Sequence, residues 1–196
     1  PVLDALYSGY AALLYVAAPL LTAGFILTLF KGLVDKFRFE KLGHHGKTFI
    51  FSELNECSIA LAESIFRREE GNKPTFVFAE VFEKNEEADY ELMERAQNLR
   101  AICLKQDITL LVPDKKKADK LRWDMEYFMI GKDESENVSQ AAKLAEIFST
   151  DLCTISPKLY VFASSEVSGR LVDAIARREP DKLAMVHVAN DMTERR

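Results

Sequence analysis

The chain has 196 residues, of which 48% are hydrophobic, and it carries a formal net charge of −5. This length and composition suit one α/β domain of about 150 residues with its own core, plus an additional element. The acidic balance argues against nucleic acid as a partner, because phosphate recognition needs a basic face.

Residues 1–31 predict a transmembrane helix. No charged residue lies between Ala5 and Phe30. The 22 residues from Gly9 to Phe30 reach roughly 33 Å, enough to cross the hydrocarbon core of a bilayer. Pro19 and Gly24 would kink this span, which is tolerated beside neighbouring membrane helices. The alternative is a buried helix or hairpin of a soluble protein.

Residues 32–46 predict an amphipathic basic linker that leaves the membrane surface, because apolar side chains alternate there with charged ones. The basic residues after the span place the remaining chain on the cytoplasmic side of a cell membrane: Lys31, Lys36, Arg38 and Lys41. His44 and His45 stand between glycines without a cysteine or carboxylate cluster, so we interpret them as loop residues rather than metal ligands.

The stretch from Lys47 to Ile65 predicts a strand, a turn and a helix. Thr48–Phe51 is a short run of residues that favour β-structure, and a polar turn follows it. Apolar residues then recur at helical spacing from Ile59 to Phe66. This order is typical of a doubly wound nucleotide-binding sheet, in which phosphates sit at the helix N-terminus.

The remaining chain continues the alternation of strands and helices. Further strands are predicted at 74–80, 101–104, 127–130, 159–163 and 183–188, and helices at 83–100, 134–148 and 167–177, with a helix or crossover loop at 114–122. We therefore predict the α/β class for residues 47–196. The expected architecture is a doubly wound, parallel, Rossmann-like sheet of about six strands in the order 3-2-1-4-5-6.

In such a sheet, ligands bind at the carboxyl ends of the strands, near the switch between the first and fourth strands. Glu80 ends the second strand, where an acidic side chain typically binds the ribose hydroxyls of a dinucleotide. The alternative is a carboxylate that is exposed or caps a helix. Asp107 and Asp133 follow the third and fourth strands at the same edge.

The first turn lacks the glycines that let a pyrophosphate approach bare backbone. Other residues occupy the region of the G-x-G-x-x-G motif: Ser52, Glu53, Leu54, Asn55 and Cys57. A carboxylate about 4 Å from a phosphate costs roughly 4 kcal/mol at an effective dielectric of about 20. The helix N-terminus returns only about 0.3–2 kcal/mol. We therefore expect no tight NAD binding in the usual pose.

A cation is the alternative ligand at this edge, because Ca²⁺ and Mg²⁺ prefer carboxylate oxygens. Five carboxylates are candidates for one cleft: Glu53, Glu56, Glu80, Asp107 and Asp133. The competing interpretation is a set of acidic loops that face solvent.

Motifs of enzymatic chemistry are missing, so we expect no enzyme. The sequence has no G-x-S-x-G elbow, C-x-x-C, H-E-x-x-H or P-loop. Cys57, Cys103 and Cys153 lack metal-ligand spacing, and we expect them to be reduced and mostly buried.

From about Lys47 to Asp191 the chain resembles the RCK/TrkA-N family, the regulatory cytosolic domains of potassium channels and transporters, and in particular its Castor/Pollux-type members. The resemblance rests on five segments in order: FIFSELNECSIALAESI, FVFAEVFEKNEEAD, AICLKQDIT, FMIGKDESENVSQAAKLAEIF and LYVFASSEVSGRLVDAI. In this resemblance Ser52, Leu54 and Cys57 fall on the family's glycine positions. Glu80 falls on its ribose-binding acid and Asp107 on its third-strand acid.

The resemblance implies a non-catalytic, ligand-sensing module of a potassium-related channel or transporter. Such modules assemble into dimers or rings and are attached to a pore helix. The candidate ligands of this chain are NAD(H), another adenine nucleotide or Ca²⁺. The chain has no TVGYG-like filter, so it cannot conduct ions alone.

Two alternatives remain open. The first is a membrane-tethered NAD(P)-dependent oxidoreductase or nucleotide-sugar enzyme, which needs a Tyr/Lys pair or a histidine at the cleft. Tyr127 and Tyr160 fall inside predicted strands, which argues against it. The second is a Rossmann scaffold that binds no ligand.

Overall fold

The computed structural model describes residues 10, 14–23, 37–39, 47–69, 74–81, 87–112, 124–149, 157–177 and 184–188. These belong to two compact units, Pro1–Phe37 and Arg38–Arg196. In the first unit residues 14–23 are helical, and most of their side chains are exposed.

Most of the predicted transmembrane helix lies outside the described residues. Within the described part of the chain, no helix combines the length and the apolar character needed to cross a membrane. Of the predicted linker, only residues 37–39 are described. They are helical, and Phe39 is buried in the core of the second unit while Phe37 is exposed.

The described residues of the second unit form six strands and four helices, with a short 3-10 turn after the third strand. Their bounds are β1 (Lys47–Phe51), α1 (Glu56–Arg68), β2 (Thr75–Phe78), α2 (Glu87–Asn98), β3 (Ile102–Cys103), the 3-10 turn (Ile108–Leu110), β4 (Asp124–Met129), α3 (Glu134–Ser149), β5 (Lys158–Phe162), α4 (Glu166–Ala176) and β6 (Ala184–Val188).

The strands form one sheet in the order β3-β2-β1-β4-β5-β6, and every neighbouring pair is parallel. This is the Rossmann-like, doubly wound α/β sheet that the alternation of strands and helices predicts. The order reverses between β1 and β4, where Phe51 pairs with Phe128. The carboxyl ends of these two strands therefore form the switch point at which such sheets bind ligands.

Both faces of the sheet are apolar, because successive strand residues point to opposite sides. On one face Ile50, Tyr127 and Leu159 share a core with Leu144 and Phe148 of α3. On the other face, one aromatic ring from each of four adjacent strands stacks on the next, with centroids 5.1, 5.0 and 4.6 Å apart, in the order Phe78, Phe51, Phe128 and Tyr160. Each such pair adds about 0.5–1.5 kcal/mol beyond the burial of its area.

Three element bounds differ from the sequence prediction for identifiable reasons. β4 begins at Asp124 rather than Tyr127, because Lys47 of β1 pairs with Asp124. Within the described residues α2 spans Glu87–Asn98, and Ala101 belongs to its cap instead of β3. Ala101 N–H donates to the Ala96 carbonyl and Arg100 N–H to that of Gln97, the hydrogen bonds of a Schellman motif. The predicted element at 114–122 lies outside the described residues.

The prediction of mostly buried cysteines is wrong for Cys57, which is exposed near the start of α1. Cys103 is partly buried, and Cys153 lies outside the described residues. A cysteine in the first turn of an amphipathic helix points to solvent or to the core according to the helical phase. Here the buried face of α1 is carried by Ser58, Ile59 and Ala62.

Candidate functional site

Ser52 joins the two central strands at the switch point. Its side chain is buried, its backbone N–H donates to the Phe128 carbonyl at 2.9 Å, and its Oγ accepts from Ile130 N–H at 2.9 Å. The turn after β1 is therefore bound to the end of β4 through both backbone and side chain.

Asn55 caps α1 with its own side chain. Its Oδ1 accepts from Ser58 N–H at 2.9 Å, and Ser58 Oγ in return accepts from Asn55 N–H at 2.9 Å, which completes a capping box. Its Nδ2 donates to the Ile130 carbonyl at 2.8 Å. Leu54 packs against the apolar core on the α1 side of the sheet. The helix end that holds phosphate in related folds thus carries an internal cap.

Glu53 reaches across the switch point to the turn after β4. Its Oε2 accepts from Lys132 N–H at 3.2 Å and lies 3.5 Å from Asn55 Nδ2. A Cβ on Gly131 would stand only 3.3 Å from this oxygen and 3.1 Å from Asn137 Oδ1. A glycine at 131 therefore lets both side chains close over the backbone.

Asn137 lies at this edge but is not among the binding residues that the sequence predicts. It is buried on α3; its Oδ1 accepts from Gly131 N–H at 2.7 Å, and its Nδ2 donates to the carbonyls of Gly131 and Phe162 at 3.1 and 3.0 Å. It therefore connects the ends of β4 and β5. An asparagine one position before Val138, in a helix whose other inward residues are mostly apolar, was the available signal.

Glu134, which is also not among the predicted binding residues, binds the turn that leads into α4. Its Oε1 accepts from Ser164 N–H at 2.7 Å and from Ser164 Oγ, and its Oε2 accepts from Ser165 N–H at 3.1 Å. These donors stabilise the carboxylate and lower the pKa of Glu134 to about 2. A carboxylate of the chain itself thus lies beside the α4 N-terminus, which Ser165 caps.

Asp133 precedes α3, and its Oδ1 accepts from the N–H and Oγ of Ser135 at 2.8 and 2.7 Å. These hydrogen bonds lower the pKa of Asp133. After β3, Asp107 makes the same pair of hydrogen bonds: its Oδ1 accepts from the N–H and Oγ1 of Thr109 at 2.7 and 2.6 Å. Both predicted acids thus accept hydrogen bonds from residues two positions further along the chain.

Glu80 follows β2 in a left-handed backbone conformation, with φ of 51°. Its N–H donates to the Gln106 carbonyl at 3.0 Å, which places it beside Asp107. Burial raises the pKa of Glu80, and the charges of Asp107, Glu136 and Glu53 raise it further. The carboxyl ends of β1, β2 and β3 therefore bring Glu53 and Asp107 close enough to Glu80 for their charges to affect its pKa.

The five-carboxylate cation cleft is not formed in the described residues. Glu56 points instead to α2, where its Oε2 pairs with Arg95 Nη1 at 2.8 Å. Asp133 is engaged with Ser135. Among the residues that the structure describes, no group of three or more histidine, cysteine, aspartate or glutamate side chains is placed to hold a metal ion.

The switch point is closed by the chain's own side chains. At α1 and α4, side chains of the chain itself occupy helix ends that face the carboxyl edge, and Asn137 and Glu53 join adjacent turns. Tyr127, one of two tyrosines considered for catalysis, is fully buried and donates its hydroxyl to the Leu111 carbonyl at 2.8 Å.

Comparison with protein-family models, with curated proteins and with solved structures finds no match to this chain. The fold and the side chains at its switch point define a Rossmann-like α/β domain with an internally capped first turn. The resemblance to the RCK/TrkA-N family stays a prediction from the sequence segments.

Proposed function

We propose that this chain is a non-catalytic regulatory domain of a membrane channel- or transporter-like protein, potassium-related by its sequence resemblance. Binding of a ligand or partner at the strand ends would bias the attached membrane helix. The observation that carries the regulatory part is the first turn: Asn55 caps α1, and Glu53 binds the turn after β4. A dinucleotide enzyme uses this position to hold pyrophosphate.

The membrane anchor is supported by the helical residues 14–23. They carry no charge, and large apolar side chains are exposed among them, including Tyr15, Leu20 and Leu21. Their threonine hydroxyl, at Thr22, donates to the Ala18 carbonyl at 2.8 Å, so its hydrogen bond is made within the helix. Exposed, uncharged helical surface of this kind suits lipid better than water.

Vesicle flotation of the full chain tests the anchor. We expect the wild type to float with phosphatidylcholine vesicles, and Leu20→Arg to lose most of this association, since a central arginine costs about 2.5–3.5 kcal/mol in a membrane helix. Leu110→Arg is the matched control, because Leu110 is as exposed as Leu20, at 68%, but lies in the 3-10 turn. Equal flotation of both variants would remove the anchor from the proposal.

The regulatory part is tested by the mass of the detergent-purified chain with and without ADP-ribose, ATP or Ca²⁺, measured by light scattering. The proposal predicts an oligomer whose size or stability responds to one of these. A monomer that is indifferent to all of them favours the ligand-free scaffold. Co-purified NAD(P)⁺ that becomes reduced when the protein oxidises an added substrate would favour the oxidoreductase.

A further inference from the structure

The outer face of α4 carries an apolar stripe that no described element covers. α4 packs against α3 and β6, and Gly169 and Val172 are buried on that side. Val167 and Leu171 lie on the opposite side and are 70% and 52% exposed, and the exposed Ala174 continues the stripe. These positions are four and three residues apart, so they lie one above another on the helix surface. Aligned and exposed apolar side chains of this kind are typical of a surface that docks a partner.

Charged residues run along one flank of this stripe and alternate in sign: Glu166, Arg170, Asp173 and Arg177. All four are exposed, and Arg170 forms an ion pair with Glu166 one turn earlier. Their spacing of four, three and four residues keeps them on the same flank. The series reads negative, positive, negative, positive. It therefore becomes its own complement when the direction of the helix is reversed.

Two copies of this helix fit together when they run antiparallel about a two-fold axis. In such a pair each flank of one helix meets the same flank of the other in reverse order. Glu166 then lies opposite the second copy of Arg177, and Arg170 opposite the second copy of Asp173. Both pairs have the same midpoint, between residues 171 and 172, so one axis satisfies them together. Leu171 lies beside that axis and meets its own copy.

We propose that the outer face of α4 is an antiparallel, two-fold docking surface for a second copy of this chain. The apolar stripe supplies the contact, and the charged flank sets its direction and register. A partner of another sequence would need no self-complementary series, which favours a second copy as the occupant. The contact is one helix wide, so the dimer is weak and depends on concentration. The surface lies in the second unit alone and does not depend on the membrane role proposed above.

Charge reversal tests the pairing by sedimentation equilibrium of the full chain in density-matched detergent. Arg170→Glu and Asp173→Arg each place like charges opposite one another twice per dimer, so each should raise the dissociation constant about 10-fold. Mixed together, the two variants should associate about as well as the wild type. In the mixed dimer the two reversed positions face each other, and the two unchanged positions do the same.

Leu171→Asp tests the apolar part of the surface and should abolish the association. Leu110→Asp, at another exposed leucine in the 3-10 turn, is the matched control and should leave the dissociation constant unchanged. Thermal melts of each variant establish that it is folded.

Three results would overturn the docking surface. They are a wild type that stays monomeric up to its solubility limit, a dimer equally stable in the single reversals, and a mixture that associates no better than either variant alone. None of these changes the flotation result expected for Leu20→Arg, so failure of the docking surface and failure of the membrane anchor are separate outcomes.

Discussion

At the scale of single residues, Asn137 satisfies three backbone groups at once. Asn137→Ala leaves Gly131 N–H and two carbonyls without this partner, so we expect a loss of roughly 2–4 kcal/mol in the free energy of unfolding. Urea denaturation monitored by circular dichroism measures it. Ser139→Ala, two positions along the same helix on its exposed side, should change stability by less than about 0.5 kcal/mol. A loss in Asn137→Ala no larger than the control's would contradict the role.

Glu134 gives the molecule an acid-sensitive contact. Its pKa of about 2 lies below its ordinary value of 4.5, so its contribution to stability is complete above pH 4.5 and disappears as pH falls toward 2. Glu134→Gln should therefore be less stable than wild type near neutral pH, with the gap closing in acid. Thermal melts across this range measure the gap. A gap that is no larger for Glu134→Gln than for Glu146→Gln, an exposed position on the same helix, would sink this assignment.

At the scale of elements, Arg95 connects α2 to α1. Its Nε and Nη2 bind the two oxygens of Glu63 at 2.9 and 3.1 Å, and its Nη1 binds Glu56 at 2.8 Å. Arg95→Lys keeps the charge but loses the paired geometry, so we expect a cost of about 1 kcal/mol that shrinks at high salt.

Arg67 provides the control for that prediction. It lies 3.9 Å from the same Glu63 and its side chain is 78% exposed, so Arg67→Lys should leave the free energy of unfolding unchanged within error. Equal effects of the two substitutions in chemical denaturation would show that the bidentate contact does not hold the helices together.

The elements were predictable where periodicity and composition agree. The apolar runs of β1, β2 and β5 and the helical spacing of α3 lie within one or two residues of the observed bounds, and the spacing of α1 lies within three. The start of β4 was not predictable, because it contains a charged residue, Glu126, that is nevertheless only 9% exposed. Its Oε1 lies 3.6 Å from Lys158 Nζ. The end of α2 was not predictable either, because the left-handed residue that caps it is Arg100, with φ of 55°, and a glycine is expected at such a position.

The position of the candidate site was predictable from the sequence, but the hydrogen-bond partners of its side chains were not. Parallel winding puts Ser52, Glu53, Glu80 and Asp107 at one edge, and this follows from the pattern of strands. Which carboxylate meets which donor depends on side-chain directions across three turns. Glu56 turns away to Arg95, while Glu134 turns in to Ser164, and no spacing in the sequence distinguishes them.

At the scale of the whole molecule, the chain consists of an apolar N-terminal unit and a Rossmann-like unit whose first turn is closed by its own side chains. A closed first turn removes the usual position for pyrophosphate, while the rest of the carboxyl edge keeps its acidic side chains. A regulatory domain with such an edge would respond to a ligand held elsewhere than at the α1 N-terminus.

Titration of the full chain with NADH, followed by amide NMR of residues 52–57, tests the closed turn most directly. We predict no saturable shift of the Leu54, Asn55 and Cys57 amides, because Asn55 caps α1 and Glu53 places a carboxylate beside the phosphate position. Saturable shifts of these amides that are lost in Glu80→Gln would show a dinucleotide in the usual pose and contradict the account.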